Sequence, residues 1–256
     1  MIIGERLTVQ QTGQLLDLLE KYKDRFVKRV GRTDIVSHKI RLKECVPYTR
    51  RMYAIPDNLQ NEVDGQIAEL LEQGMIEESD SPYAAPIVCV KKRNGKNRLT
   101  CDYSSINLMT VDNAYGMADL TELIEISVKT KYVSTIDLAS AYWQVPMSPE
   151  SKLLTNFRTR RNLFQWHVMP QSLKNSSKTF QALMSQVLWG AGMYANTHQD
   201  DIIITSDSFE DHLSHIRDVL ERLRLANLTA RASKTQFARE ETKCLGFVVG
   251  NGKNCS

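Results

Sequence analysis

Long apolar runs are missing from this sequence. None approaches the ~18 consecutive apolar residues that a membrane-spanning helix needs, so no membrane contact is expected. The opening stretch MIIGERLTVQQTGQ has no basic segment followed by a long apolar one, which argues against a secretory signal and for an intracellular protein. Cysteine is sparse: Cys45, Cys89, Cys101, Cys244 and Cys255 are odd in number, and no two stand at CxxC spacing. That pattern argues against a zinc ribbon or a disulfide framework and for idle thiols in a reducing compartment. Internal repeats and low-complexity segments are absent as well. The net charge of +3 is too small to define a class of partner.

What is present suffices for a core. Apolar residues make up 42% of 256, enough for one large domain or two small ones. Positive charge is clustered rather than abundant. Lys91, Lys92, Arg93, Lys96 and Arg98 fall close together, as do Arg158, Arg160 and Arg161. Such clusters suit phosphate, although each alone also fits a solvated turn.

Residues 1–34 read as a charged helical lead-in of unclear role, with Leu15, Leu16, Leu18 and Leu19 among lysines and arginines. Asp57 and Gln60 have the spacing of a helix-capping pair, followed by an apolar face of Val63, Ile67, Leu70 and Leu71 and a stop at Gly74. Asn94-Gly95 between two short apolar runs signals a hairpin. Val133 to Leu138 reads as a strand carrying an acid, Leu163 to Val168 as another, and Ile202 to Thr205 as a β-branched strand directly after two acids. Helical spacing covers Ser177 to Leu188 and a later helix capped by Asp207 with Glu210, whose inner face is Leu213, Ile216, Val219, Leu220 and Leu223. Without regular βαβ alternation, the fold class is α+β.

Two segments carry acids where chemistry could use them. TIDLASAYWQV places Asp137 at the end of an apolar strand, and HQDDIIITS places Asp200 and Asp201 between a short polar stretch and another strand. Alone, each is an ordinary turn feature. Together they could converge as carboxylates from separate elements, the arrangement a pair of Mg²⁺ ions needs for nucleotidyl transfer.

Six stretches then occur in a recognisable order: RRMYAIPDNLQNEVDGQIAELLEQGMIEESDSPYAAPIVCVKKRNGKNRLTCDYSSIN, TIDLASAYWQV, VMPQSLKNSSKTFQALMSQVL, HQDDIIITS, DHLSHIRDVLERLR, and SKTQF with KCLGFVVGNG. From His38 to Gly252 the chain resembles the reverse transcriptases of gypsy-type LTR retrotransposons, relatives of the retroviral enzymes. The resemblance implies the fingers and palm of a right-hand polymerase: fingers over residues 35–115 and 145–176, palm over 116–144 and 177–256, with little or no thumb. It implies that Asp137, Asp200 and Asp201 bind two Mg²⁺ ions, with Mn²⁺ as a substitute. Lys91 and Arg98 match cations that clamp the incoming triphosphate. Tyr142 matches the ring that excludes a ribose 2′-OH, Gln171 a polar residue near the nucleotide's sugar, and Lys234 a lysine near the phosphate path. Gly246 falls in the primer-grip turn. The implied partners are an RNA or DNA template with its primer, dNTPs, and RNase H and integrase segments of a full-length element; cytoplasm and nucleus both remain open as location.

The sequence also departs from the family pattern. His198 replaces the tyrosine of YxDD, Ser172 a glycine, Ser104 an arginine, Asn162 a hairpin glycine and Leu154 a lysine. These changes, with the acids kept, leave a second reading: a catalytically degenerate or domesticated fold that acts only as a nucleic-acid-binding or interaction module.

Overall fold

The first helix begins where the sequence supplies its own cap: Thr8 accepts from Gln11 N, and the Gln11 side chain reaches back to Thr8 N. The computed structural model describes residues 1–27, 29–91, 95, 97–116, 130–198, 201–244 and 247–249. In chain order the elements are β1 (Ile2–Ile3), α1 (Val9–Lys21), α2 (Asp57–Glu72), β2 (Ile76–Glu78), β3 (Ala85–Lys91), β4 (Asn97–Cys101), α3 (Ser104–Met109), β5 (Tyr132–Asp137), α4 (Pro149–Lys152), β6 (Phe157–Arg158), β7 (Leu163–Trp166), α5 (Ser176–Val187), β8 (Ala195–His198), β9 (Asp201–Ser206), α6 (Phe209–Leu225), β10 (Gln236–Arg239), β11 (Thr242–Cys244) and β12 (Phe247–Val249). Among the described residues no helix is long and apolar enough to cross a membrane. The α+β class expected from the sequence is the class observed.

The chain divides into two units. The first comprises Met1–Ile35, Gly116–Ala141 and Phe180–Ser256. Its sheet has the order β1-β10-β5-β9-β8, antiparallel except for the parallel pairing of β1 with β10. β9 is an interior strand and β-branched, and Ile202, Ile203 and Ile204 are all buried, so both of its faces are covered. Ile216, Val219, Leu220 and Leu223 recur at helical spacing on α6 and are fully buried, each worth ~1.5–3 kcal/mol of transfer free energy. A polar joint lies within this packing. The His212 ring of α6 shares hydrogen bonds with Ser134 Oγ of β5 (2.7 Å) and Ser206 Oγ of β9 (2.8 Å). Burial, and secondarily the neighbouring His215, push its pKa down to about 3.

The lead-in is part of this unit. Leu15, Leu18 and Leu19 are buried, and β1 extends the sheet. Gly4 follows β1 so closely that a Cβ there would meet Ala238 O at 2.0 Å, so only glycine fits. Arg224 of α6 makes two hydrogen bonds to the Asp24 carboxylate (2.6 and 3.2 Å), and its guanidinium lies 4.2 Å from the Tyr22 ring centroid.

The second unit comprises Val36–Tyr115 and Tyr142–Thr179. Its sheet has the order β2-β7-β6-β3-β4, with β3 and β6 parallel and the other pairs antiparallel. Ala85, Ile87, Tyr103, Ile106, Phe157 and Met169 form its core. His38 is buried here, with Nδ1 2.9 Å from Thr179 Oγ1, and desolvation lowers its pKa to about 4. Gly74 (φ +62°) ends α2 as its sequence position requires.

Three local expectations are corrected. Asp57 is the first residue of α2 rather than its cap: Pro56 holds the cap position, and the Gln60 amide donates to Asp64 instead (3.0 Å). Leu71 turns outward from the buried face of α2. On α6 the cap is Ser208, which accepts from Asp211 N, because its extended backbone (φ −118°, ψ 158°) aims the hydroxyl at that amide.

Ser172 adopts φ +79°, the left-handed region that disfavours any side chain with a Cβ. The turn is held regardless, since Asn107 donates to Ser172 O at 2.8 Å and Lys174 N donates to Asn107 Oδ1 at 2.8 Å. Ser172→Gly is expected to raise unfolding free energy by about 1 kcal/mol, read from urea midpoints at constant m.

The two buried histidines set the acid response. Each is neutral when folded and protonates more readily when unfolded, so its contribution is complete above about pH 6.5. It is lost as pH falls toward the folded values of about 4 for His38 and about 3 for His212. Each is expected to remove about 2 kcal/mol between pH 7 and 5. Urea unfolding across that range checks this, and His212→Asn is expected to flatten the slope by about half.

Candidate active site

β5 ends in Asp137 and β9 begins with Asp201, and their antiparallel register sets the two directly opposite. The next pair inward is Ile136 opposite Ile202. Alternation along a strand puts the two acids on one face and the two isoleucines on the other. The isoleucine face is the one that meets the helices, since Ser134 and Ser206 contact His212 of α6 and Thr197, opposite Ile202, accepts from Gln181 of α5 (3.5 Å). The acids therefore occupy the face of the sheet opposite α5 and α6. His198 is the register partner of Asp201 on β8. Asp200, the third expected carboxylate, lies outside the described residues, as do Lys92, Arg93, Asn94, Lys96 and Gly246.

The Asp137 side chain is only 17% exposed. Its Oδ2 accepts from Lys234 Nζ at 3.2 Å, which brings one expected nucleotide-site residue beside one expected metal ligand. Its Oδ1 is buried without a hydrogen-bond donor. The Arg231 guanidinium stands 3.7 Å from that oxygen, within ion-pair range and outside hydrogen-bond range. Arg231 is a residue that sequence reasoning missed. Its amide donates to Asp137 O (2.7 Å), and its carbonyl accepts from Lys234 N and Thr235 N (both 3.2 Å). The turn carrying Lys234 is thereby pinned to the end of β5. The only sequence signal was the spacing Arg-x-x-Lys.

A carboxylate with one buried oxygen lacking a donor, facing a second carboxylate across a strand pair, is a hard-oxygen arrangement that suits a divalent cation such as Mg²⁺. Among the described residues no three His, Cys, Asp or Glu side chains form a metal cluster, and Asp200 is not one of those residues.

The remaining candidates belong to the second unit. In the β3–β4 ribbon, Lys91 pairs with Asn97 and Arg98 with Val90. Lys91 and Arg98 therefore occupy successive, alternating pairs of the ribbon. Pairing register decides this, and the sequence did not reveal it. Tyr142 sits in a 3₁₀ turn (Ala141–Gln144), half-buried, with its hydroxyl 3.0 Å from Ser177 Oγ. Trp143 beside it is a packing residue, its ring 5.8 Å from that of Trp166. Gln171 is half-exposed in the turn before Ser172. At Ser104, where the family pattern has arginine, Arg50 Nη1 donates to Ser104 Oγ (3.1 Å) and stands 3.7 Å from Asp102. A guanidinium from a distant part of the sequence thus stands at the substituted position.

Residues 90–249 match the family model described as reverse transcriptase (RNA-dependent DNA polymerase). The chain is 32% identical, over 96% of its length, to a retrovirus-related Pol polyprotein from transposon 297 of Drosophila melanogaster, and spans 24% of that polyprotein. It is 32% identical over 75% of its length to the enzymatic polyprotein of cauliflower mosaic virus (strain Strasbourg), spanning 29% of it. Among solved structures it is similar to the foamy viral protease-reverse transcriptase in complex with double-stranded DNA, with a TM-score of 0.90 at 26% identity, covering 97% of this chain and 44% of that one. With more than half of its residues inside the family model and its two sheets shared with a viral polymerase, the chain belongs to the reverse transcriptase family and has the fingers-and-palm fold of a right-hand polymerase.

Proposed function

We propose that this chain carries out RNA-directed DNA synthesis, adding dNTPs to the 3′-OH of a primer on an RNA or DNA template, as one segment of a longer Pol polyprotein with RNase H and integrase parts. The first unit serves as the palm and the second as the fingers. The observation that carries this reading is the facing pair Asp137 and Asp201 with Lys234 on Asp137.

In this reading Asp137, Asp200 and Asp201 hold two Mg²⁺ ions, and Mn²⁺ can replace them. When bound, the ions polarise the primer 3′-OH and offset charge on the departing pyrophosphate. The protein's own part is orientation. The β5–β9 ladder fixes the carboxylates of Asp137 and Asp201 on one face, and the pinned Arg231 turn holds Lys234 against Asp137 Oδ2. Lys234 keeps a positive charge near the phosphates. Arg98 offers a planar fork for bidentate phosphate binding, which Lys91 does not share. Tyr142 excludes a ribose 2′-OH by bulk, its ring steadied through Ser177, and Gln171 meets the sugar. The relatives in the family were solved on double-stranded DNA and on an RNA/DNA hybrid, which supports the substrate class.

Asp137→Asn is expected to lower dNTP incorporation on a primed RNA template by about three orders of magnitude, since several kcal/mol of charge stabilisation is withdrawn. Wild-type protein that binds template–primer yet incorporates nothing with Mg²⁺ or Mn²⁺ would instead support the silent module. Tyr142→Ala is expected to raise ribonucleotide use relative to deoxynucleotide use by roughly tenfold or more, as kcat/KM ratios, with dNTP addition largely kept.

A further inference from the structure

Arg158, Arg160 and Arg161 lie outside every role assigned above. Arg158 ends β6, and the other two sit in the turn to β7. A loose basic loop would be a solvated feature, but this turn is tied. The nearly buried Thr159 hydroxyl accepts from Arg161 N (3.3 Å) and Asn162 N (3.0 Å) and donates to Asn162 O (2.9 Å). The three guanidinium groups are therefore presented from a fixed hairpin.

Their neutralisation is weak. Arg160 meets Asp57 at 3.5 Å and Arg161 meets Asp64 at 3.7 Å, both long and solvent-exposed contacts of little strength. Arg158 is exposed and has no ion-pair partner among the described residues. The three arginines line a groove of about 520 Å³ within the second unit, together with Thr49, Ser79 and Ser81. The serine hydroxyls already donate internally, Ser79 to Gln165 Oε1 and Ser81 to Leu153 O, so the guanidinium groups are the charged donors the groove offers a ligand. The acidic residue in the lining, Glu78, accepts from the Asn162 amide (3.1 Å).

We propose that this groove binds the phosphodiester backbone of a nucleic-acid strand, as a contact separate from the carboxylate site and independent of sequence. Three cations carried on a tied turn at a groove much larger than one phosphate suit a run of phosphates rather than a free ion. No aromatic ring lines the groove, so it offers nothing for base stacking, and recognition is of the backbone. The same lack of aromatic anchors argues against an acidic protein surface, whose stable docking needs an apolar centre.

The test is fluorescence anisotropy of a labelled single-stranded oligonucleotide with the full chain, titrated across salt in EDTA without dNTP. Nucleotide addition does not enter this readout, so it is distinguishable from failure of the polymerase reading. The triple variant Arg158→Gln, Arg160→Gln, Arg161→Gln is expected to bind at least tenfold more weakly and to flatten the log affinity against log salt slope by about 2, from ~0.7 per lost phosphate contact on a single strand. The triple lysine variant is expected to keep most of the slope. If the triple glutamine variant does not fold, Arg158→Gln alone is expected to flatten it by about 0.7. Unchanged affinity and slope in a folded glutamine variant overturn the proposal.

Discussion

Two like charges facing each other across neighbouring strands destabilise a sheet, and the register of β5 against β9 imposes that opposition on Asp137 and Asp201. The ladder behind them offsets the cost. Val133, Ile136, Ile202, Ile203 and Ile204 are buried, and the helices seal the isoleucine face. Cations close the other end: Lys234 on one oxygen of Asp137 and Arg231 near the other. Much of the first unit follows from this requirement. β10 follows the cation-bearing turn and pairs with β5, β1 pairs with β10, and the bare backbone of Gly4 lets the chain turn away against Ala238.

Short-range chemistry was legible in the sequence. The β-branched run after the two aspartates is β9, the apolar periodicities are α5 and α6, and Gly74 stops α2. Asp137 was visible as an acid at a strand end, and the order of the motifs gave the family. What the sequence hid depends on long-range pairing. Two residues cannot announce a parallel strand partner more than 200 positions away, so the lead-in gave no sign of being β1. The ladder positions of Lys91 and Arg98 depend on the pairing register across their hairpin, and Arg231 reaches Asp137 only through a bridge between Leu138 and Ala230. The cap of α6 shifts by one residue because the neighbouring polar side chains of Asp207 and Ser208 compete for the same amides.

Departures from the family pattern differ in physical weight. Ser172 keeps a left-handed backbone in a residue type that resists it, so the turn geometry outlasted the glycine that suits it. Ser104 lost a cation from its own position, yet Arg50 brings a guanidinium to its hydroxyl. Asn162 took a capping role in the β6–β7 turn, where its amide and carbonyl close on Thr159.

The division of the first unit among three separate stretches of chain governs the order in which the protein can form. A ribosome delivers β1 early, but its partner β10 emerges only after the entire second unit has been made. The second unit lies within 36–179 and can complete its sheet while the first unit is still missing β8, β9 and β10. The exposed, unpaired residues of the nascent amino-terminal segment must wait through that interval, a high contact order that slows folding and leaves apolar surface open to chaperones.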